Sequence, residues 1–230
     1  EYLKQAINII HILPFYPYSS DDGFSVIDYK KVNPALGDWK DVEDIGQKFN
    51  LMFDLVANHI SPKSVWFKEY LKGNPKYDNY FISIDKDTDL SSVTRTRTHP
   101  LLTKFKRKGE DIYLWTTYSP DQIDINFANE NVLLEIIDVI LFYASKKARV
   151  IRMDAVGHIW KKLGTNCINL KETHYIIQLV RAILDEIYPD TLLLTQTNVP
   201  HKENVSYFGN GYNEVQLVYQ FALPLLVLHT

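Results

Sequence analysis

The chain has one cysteine, Cys167, in 230 residues. That excludes an internal disulfide framework and fits a reducing, cytoplasmic setting. Excess charge of one sign is also missing. A formal net charge of −3 is too small to point to nucleic acid, and the basic residues form no long run. The densest cationic cluster, Lys104, Lys106, Arg107 and Lys108, stands beside Gly109, Glu110 and Asp111 and reads as a solvated loop. No apolar stretch approaches the ~20 residues that cross a bilayer. The opening residues Glu1-Tyr2-Leu3-Lys4-Gln5 lack the apolar run of a signal peptide. They also lack an initiator Met and a helix cap, and read as the tail of a helix already under way, so a fragment is expected. Glycine is sparse, with 9 residues. Gly23 and Gly37 stand alone and no Gly-rich loop follows a strand, which disfavours a nucleotide-binding doubly wound sheet.

What is present is the balance of an ordinary globular protein, 46% hydrophobic and 23% charged. Aromatics make up 13%, with 15 Tyr against 11 Phe and 4 Trp. Most Tyr suit the edge of a core. The same rings suit a sugar cleft, because the C–H faces of a pyranose pack on them.

Ile7 to Leu13 is a short β-branched run ended by Pro14, the pattern of a strand buried on both faces. A polar, aromatic loop, Pro14 to Asp38, follows. Trp39 to Phe49 has helical spacing, with acidic residues near its start to suit the helix dipole. Leu51 to Ala57 is a second buried strand. From His59 to about Asn129 the periodicity is lost, over a length too great for a simple connection. It reads as an inserted subdomain (60–129) between two parts of one catalytic domain (1–59 and 130–230). Asn131 to Lys147 is helical, Ala148 to Met153 a third strand, Thr173 to Ile187 a helix and Thr191 to Thr195 a fourth strand. Glu214 to Leu228 is a further helical or mixed apolar segment. Strands alternating with helices predict a parallel sheet, open or closed into a barrel.

Polar residues end the strands, where parallel α/β folds place their sites. Asp54-Leu55-Val56-Ala57-Asn58-His59, Arg152-Met153-Asp154-Ala155-Val156-Gly157-His158 and Thr195-Gln196-Thr197-Asn198 would converge on one pocket. Arg152 and Asp154 alternate about Met153 and point to one face. The guanidinium would hold Asp154 ionised, as a carboxylate nucleophile requires; a buried structural ion pair is the competing reading.

The three strand ends resemble successive signature regions of the α-amylase superfamily. His11-Ile12-Leu13-Pro14-Phe15, Asp21-Asp22-Gly23-Phe24, Gly37-Asp38-Trp39 and Ser119-Pro120-Asp121-Gln122-Ile123-Asp124 are similar to its sucrose-phosphorylase subgroup. Phe15 to Phe24 and Asn198-Val199-Pro200-His201-Lys202-Glu203-Asn204 look most like glucosylglycerate phosphorylases. The resemblance implies a partial (β/α)8 TIM barrel, with the insertion after the barrel's third strand and the C-terminal half of the barrel absent. It implies a retaining double displacement in which Asp154 is the nucleophile and phosphate, a co-substrate and not a cofactor, releases α-glucose 1-phosphate. Asp21, His59 and Arg152 match positions around the glucosyl ring, Phe24 its aromatic wall, and Tyr118 and Gln122 the acceptor side. Gln196 stands where the family has its Glu acid/base. An amide can neither give nor take the proton, so turnover should be badly impaired. The equal size of Glu and Gln favours a deliberate inactivating substitution over natural loss. The alternatives are sucrose or sucrose 6-phosphate phosphorolysis, hydrolysis of an α-glucoside, and a non-catalytic sugar-binding pseudoenzyme. No metal is expected, since no acidic cluster follows Asn58. His158 faces either the pocket or a backbone partner. Arg95 and Arg97 either meet an anionic acceptor or form a solvated edge.

Overall fold

A computed structural model describes residues 6–229. In chain order its elements are β1 (Ile9–Ile12), α1 (Trp39–Gly46), β2 (Asn50–Val56), β3 (His59–Ile60), α2 (Val65–Lys72), β4 (Leu102–Arg107) and β5 (Glu110–Trp115). They continue with β6 (Ile123–Asp124), α3 (Glu130–Ser145), β7 (Ala148–Asp154), α4 (Lys171–Ile187), β8 (Leu192–Thr195), α5 (His201–Ser206), β9 (Leu217–Val218) and α6 (Ala222–Leu228). Five strands form one parallel sheet in the order β1-β2-β7-β8-β9. Every strand end that bears polar residues therefore lies on the same side. The architecture is that of part of a (β/α)8 barrel.

Local chemistry sets the boundaries. Asp38 closes a capping box on α1, its carboxylate accepting from the Lys40 and Asp41 amides while Asp41 accepts from the Asp38 amide. Asn129 caps α3 more simply, its side-chain oxygen accepting from the Asn131 amide. α3 buries Val132, Ile136, Val139, Ile140 and Tyr143, an i, i+3, i+4 stripe laid against β7. Phe53 of β2 is fully buried among the rings of Phe15, Trp39 and Tyr143, at 5.1, 6.2 and 5.9 Å. The register pairs Asp54 with Arg152 and Val56 with Asp154.

The structure corrects two expectations and resolves a third. The run at Ile7 to Leu13 is not buried on both faces: β1 is an edge strand, with Ile9 40% and Leu13 63% exposed. The Lys104–Lys108 cluster is not a loop but the turn end of the antiparallel β4–β5 hairpin. There Lys104 pairs with Asp111 at 2.6 Å and Arg107 with Asp78, over the ring of Tyr70. The segment after Glu214 contains a fifth sheet strand, β9, as well as helix α6. Between β2 and α3 most apolar residues, including Phe67, Tyr70, Tyr80 and Phe81, join the main core. Val93, Leu101 and Trp115 form a second, smaller cluster with Cys167.

Candidate active site

β7 delivers Asp154 as its last residue, beside Val56 of β2. The next residue, Ala155, has a left-handed backbone (φ 50°), unusual without glycine and a mark of a constrained turn. Its amide donates to Gln196 Oε1 at 3.0 Å, and the Gln196 amide donates to the Met153 carbonyl at 3.0 Å. The end of β8 is thereby tied to the end of β7, with Asp154 and Gln196 on one cavity of about 530 Å³.

That cavity is lined by seven of the eight residues singled out in the sequence: Asp21, Phe24, His59, Tyr118, Gln122, Asp154 and Gln196. The eighth, Arg152, lies beneath them. Its guanidinium contacts Asp54 first, and reaches Asp154 Oδ1 at 3.2 Å. Arg152 is therefore not a partner of Asp154 alone. Asp54 is fully buried, and its other oxygen accepts from His11 Nε2 at 2.7 Å. Burial pushes the Asp154 carboxyl up to about 6; Arg152 pulls it down, and Asp54 and Asp21 push it up. The Arg152 guanidinium also sits between the rings of Phe24 and Tyr219, 5.9 and 5.5 Å from their centroids.

On the opposite wall Gln122 Nε2 donates to Asp21 Oδ2 at 2.8 Å. His59 Nδ1 accepts from the Asn58 amide at 3.2 Å, leaving the proton on Nε2, which donates to the Phe24 carbonyl at 2.9 Å. Burial holds the imidazole pKa below its usual value, so His59 is a neutral, oriented donor. Tyr118 stands between His59 and His158, at 5.4 and 5.7 Å. His158 faces the cavity, with no hydrogen bond from either ring nitrogen among the described residues. Burial pushes it down to about 4. Arg95 and Arg97 also line the cavity, the Arg97 guanidinium lying 5.5 Å from the Tyr118 ring.

Sequence reasoning missed a buried cation. The Lys161 ammonium, 4% exposed, pairs with the fully buried Asp124 at 2.6 Å, donates to Asn58 Oδ1 at 2.6 Å, and also contacts the His158 carbonyl. Asp124 further accepts from the Thr117 amide and hydroxyl, at 2.9 and 2.5 Å. A calcium ion at Asn58 would meet this ammonium on the same oxygens, so these residues do not fit one. Lys161 follows the apolar pair Ile159-Trp160; its burial leaves no mark at that spacing. Asp124, flanked by Ile123 and Ile125, does carry one, because a carboxylate alternating with apolar residues on a strand faces inward with a partner.

The parallel sheet of a partial (β/α)8 barrel thus gathers a buried carboxylate, an arginine beneath it and a strand-end amide beside one cavity. Residues 1–229 match the family model of the α-amylase catalytic domain, and the chain belongs to that family. It is 52% identical over its whole length to the glucosylglycerate phosphorylases of Allomeiothermus silvanus and Escherichia coli. It spans 41% of the length of each. The crystal structure of sucrose 6F-phosphate phosphorylase from Thermoanaerobacter thermosaccharolyticum superposes with a TM-score of 0.89 at 28% identity, over all of this chain and 49% of that one.

Proposed function

We propose that the chain forms the glucosyl-binding and nucleophile side of a retaining α-glucoside phosphorylase, acting on 2-O-α-glucosylglycerate. The observation that carries this reading is the placement of Asp154, buried at a strand end, held by Arg152 and open to a cavity shared with Asp21, His59 and Phe24. Asp154 attacks the anomeric carbon as the bond to the glycerate oxygen breaks, giving a β-glucosyl ester. A phosphate oxygen then attacks the same carbon, the ester breaks, and α-glucose 1-phosphate leaves with the Asp154 carboxylate restored. Phe24 packs the sugar ring, Asp21 accepts from its hydroxyls, His59 borders it while holding the Phe24 carbonyl, and Gln122 stands toward the acceptor side. Tyr118 walls the acceptor side, where Arg95 and Arg97 suit the carboxylate of glycerate or an incoming phosphate.

The departing glycerate oxygen needs a proton, and the attacking phosphate must lose one. Gln196 supplies neither service, a deficit of ~10²–10⁴-fold in rate. Gln196 itself favours a second reading, a sugar-binding protein with the barrel kept and turnover lost. Phosphate-dependent release of glucose 1-phosphate separates the two, measured in the full-length protein with Gln196 and with Gln196→Glu on glucosylglycerate, sucrose and sucrose 6-phosphate. Activity restored by Glu supports the phosphorylase, and the preferred substrate names the acceptor. Binding of glucosides with no release by either form supports the sugar-binding protein.

A further inference from the structure

The acceptor side of the cavity is walled in part by Thr94, Arg95, Thr96 and Arg97, a stretch without helix or strand. What fastens it is the satellite cluster. Val93, Leu101 and Trp115 come from the segment between β2 and α3, whereas Cys167 comes from the loop between β7 and α4. Val93, Trp115 and Cys167 are 7%, 1% and 2% exposed. Two hydrogen bonds run alongside: Ser92 Oγ donates to the Thr165 carbonyl at 3.1 Å, and the Thr94 amide donates to the Asn166 carbonyl at 2.9 Å. The loop closes around the thiol, which donates to the Lys162 carbonyl at 3.3 Å and accepts from the Lys162 amide at 3.4 Å. Residues 92–97 are thus clasped to the catalytic side of the sheet, and Arg97 is held over Tyr118.

We infer that the loop 162–169 is the acceptor-specificity element. By way of Cys167 and the two hydrogen bonds it fixes where Arg97 stands, and so favours an acceptor bearing a carboxylate or phosphate over a neutral polyol. The inference rests on the reading of the cavity as an α-glucoside site. Ser92, Val93 and Cys167 are positioning residues that act through Arg97. An arginine on an unfastened stretch would still attract an anion but would spend rotamer and backbone freedom to meet it.

The test titrates the chain with D-glycerate, inorganic phosphate, glycerol and glucose, followed by NMR at the Ala155 amide and the arginine side chains. The variants are Arg97→Ala, the pair Val93→Ala with Cys167→Ala, and all three together. Expected are at least fivefold losses of D-glycerate affinity in Arg97→Ala and in the pair, and no further loss in the triple variant, because the two act as one unit. Glucose affinity stays unchanged. A parallel loss for phosphate would show that both anions use Arg97; a loss for glycerate alone names the carboxylate as the group it reads. Retained glycerate affinity in the pair, multiplying losses in the triple variant, or wild-type protein that binds glucose but neither anion, overturns the inference. Failure to bind glucose at all brings down the α-glucoside reading beneath it. Should the pair not fold by circular dichroism, Ser92→Ala carries the test, with a two- to threefold loss expected and Ser92→Thr restoring it.

Discussion

Asp154 is held in a state that costs the fold stability. Its carboxyl is pushed up to about 6 by burial, against an ordinary value near 4 in the unfolded chain. The native state therefore keeps its proton more tightly than the unfolded state between about pH 4 and pH 6. Stability falls as pH rises through that window, by roughly 3 kcal/mol for this group, and the loss stays in place above it. Asp154→Asn should then stabilise the chain at pH 7 and leave it little changed near pH 4, read from urea midpoints at both values. The same substitution should abolish ester formation. α-Glucosyl fluoride tests that step in spite of Gln196, because fluoride departs without a proton. Its attachment to Asp154, followed by mass spectrometry, should rise with pH through a midpoint near 6. Removing the charge of Asp54 should instead destabilise the chain. Asp54→Asn leaves Arg152 with one carboxylate where it had two and removes a buried ion pair. A loss of about 3–5 kcal/mol is expected by chemical denaturation.

At the scale of elements, short polar signals position the site. Asp38→Ala removes the capping box of α1 and should cost about 1 kcal/mol. Gly23 has φ +106°, and a Cβ there would lie 2.4 Å from the Pro14 carbonyl oxygen. Gly23→Ala should displace the turn that carries Asp21 and Phe24, and weaken glucose binding about tenfold or more by titration. The elements legible in the sequence were those with a strong period. β2, β7, α3 and α4 lie within two residues of their expected bounds, because each buries one continuous stripe or both faces. The β4–β5 hairpin was not legible. Lys104, Lys106 and Lys108 fill alternate positions, and the partly buried Phe105 offers too little apolar contrast to mark a strand. β9, only two residues long, is set by its pairing with β8 and not by its own composition.

For the whole molecule, strand-end polarity made most of the site readable, since a parallel sheet gathers those ends without any knowledge of side-chain packing. What could not be read was the layer beneath: Asp54 and His11 under Arg152, and Lys161 between Asn58 and Asp124. Those contacts depend on register across strands far apart in the chain. At the far end of the sheet Leu223, Leu226 and Leu228 are 56%, 63% and 81% exposed, an apolar surface that water covers poorly. The chain on its own should bind a hydrophobic dye and self-associate by light scattering. Leu226→Lys with Leu228→Lys should reduce both. The pairing of Asp54 with Arg152 joins residues 98 positions apart, and it has a consequence in time. The central strands can meet only after the chain between them has closed a long loop, an entropic toll that grows slowly with length but delays every contact that follows. Refolding should accordingly be slow for a chain of this size, and the cavity should be among the last features to appear.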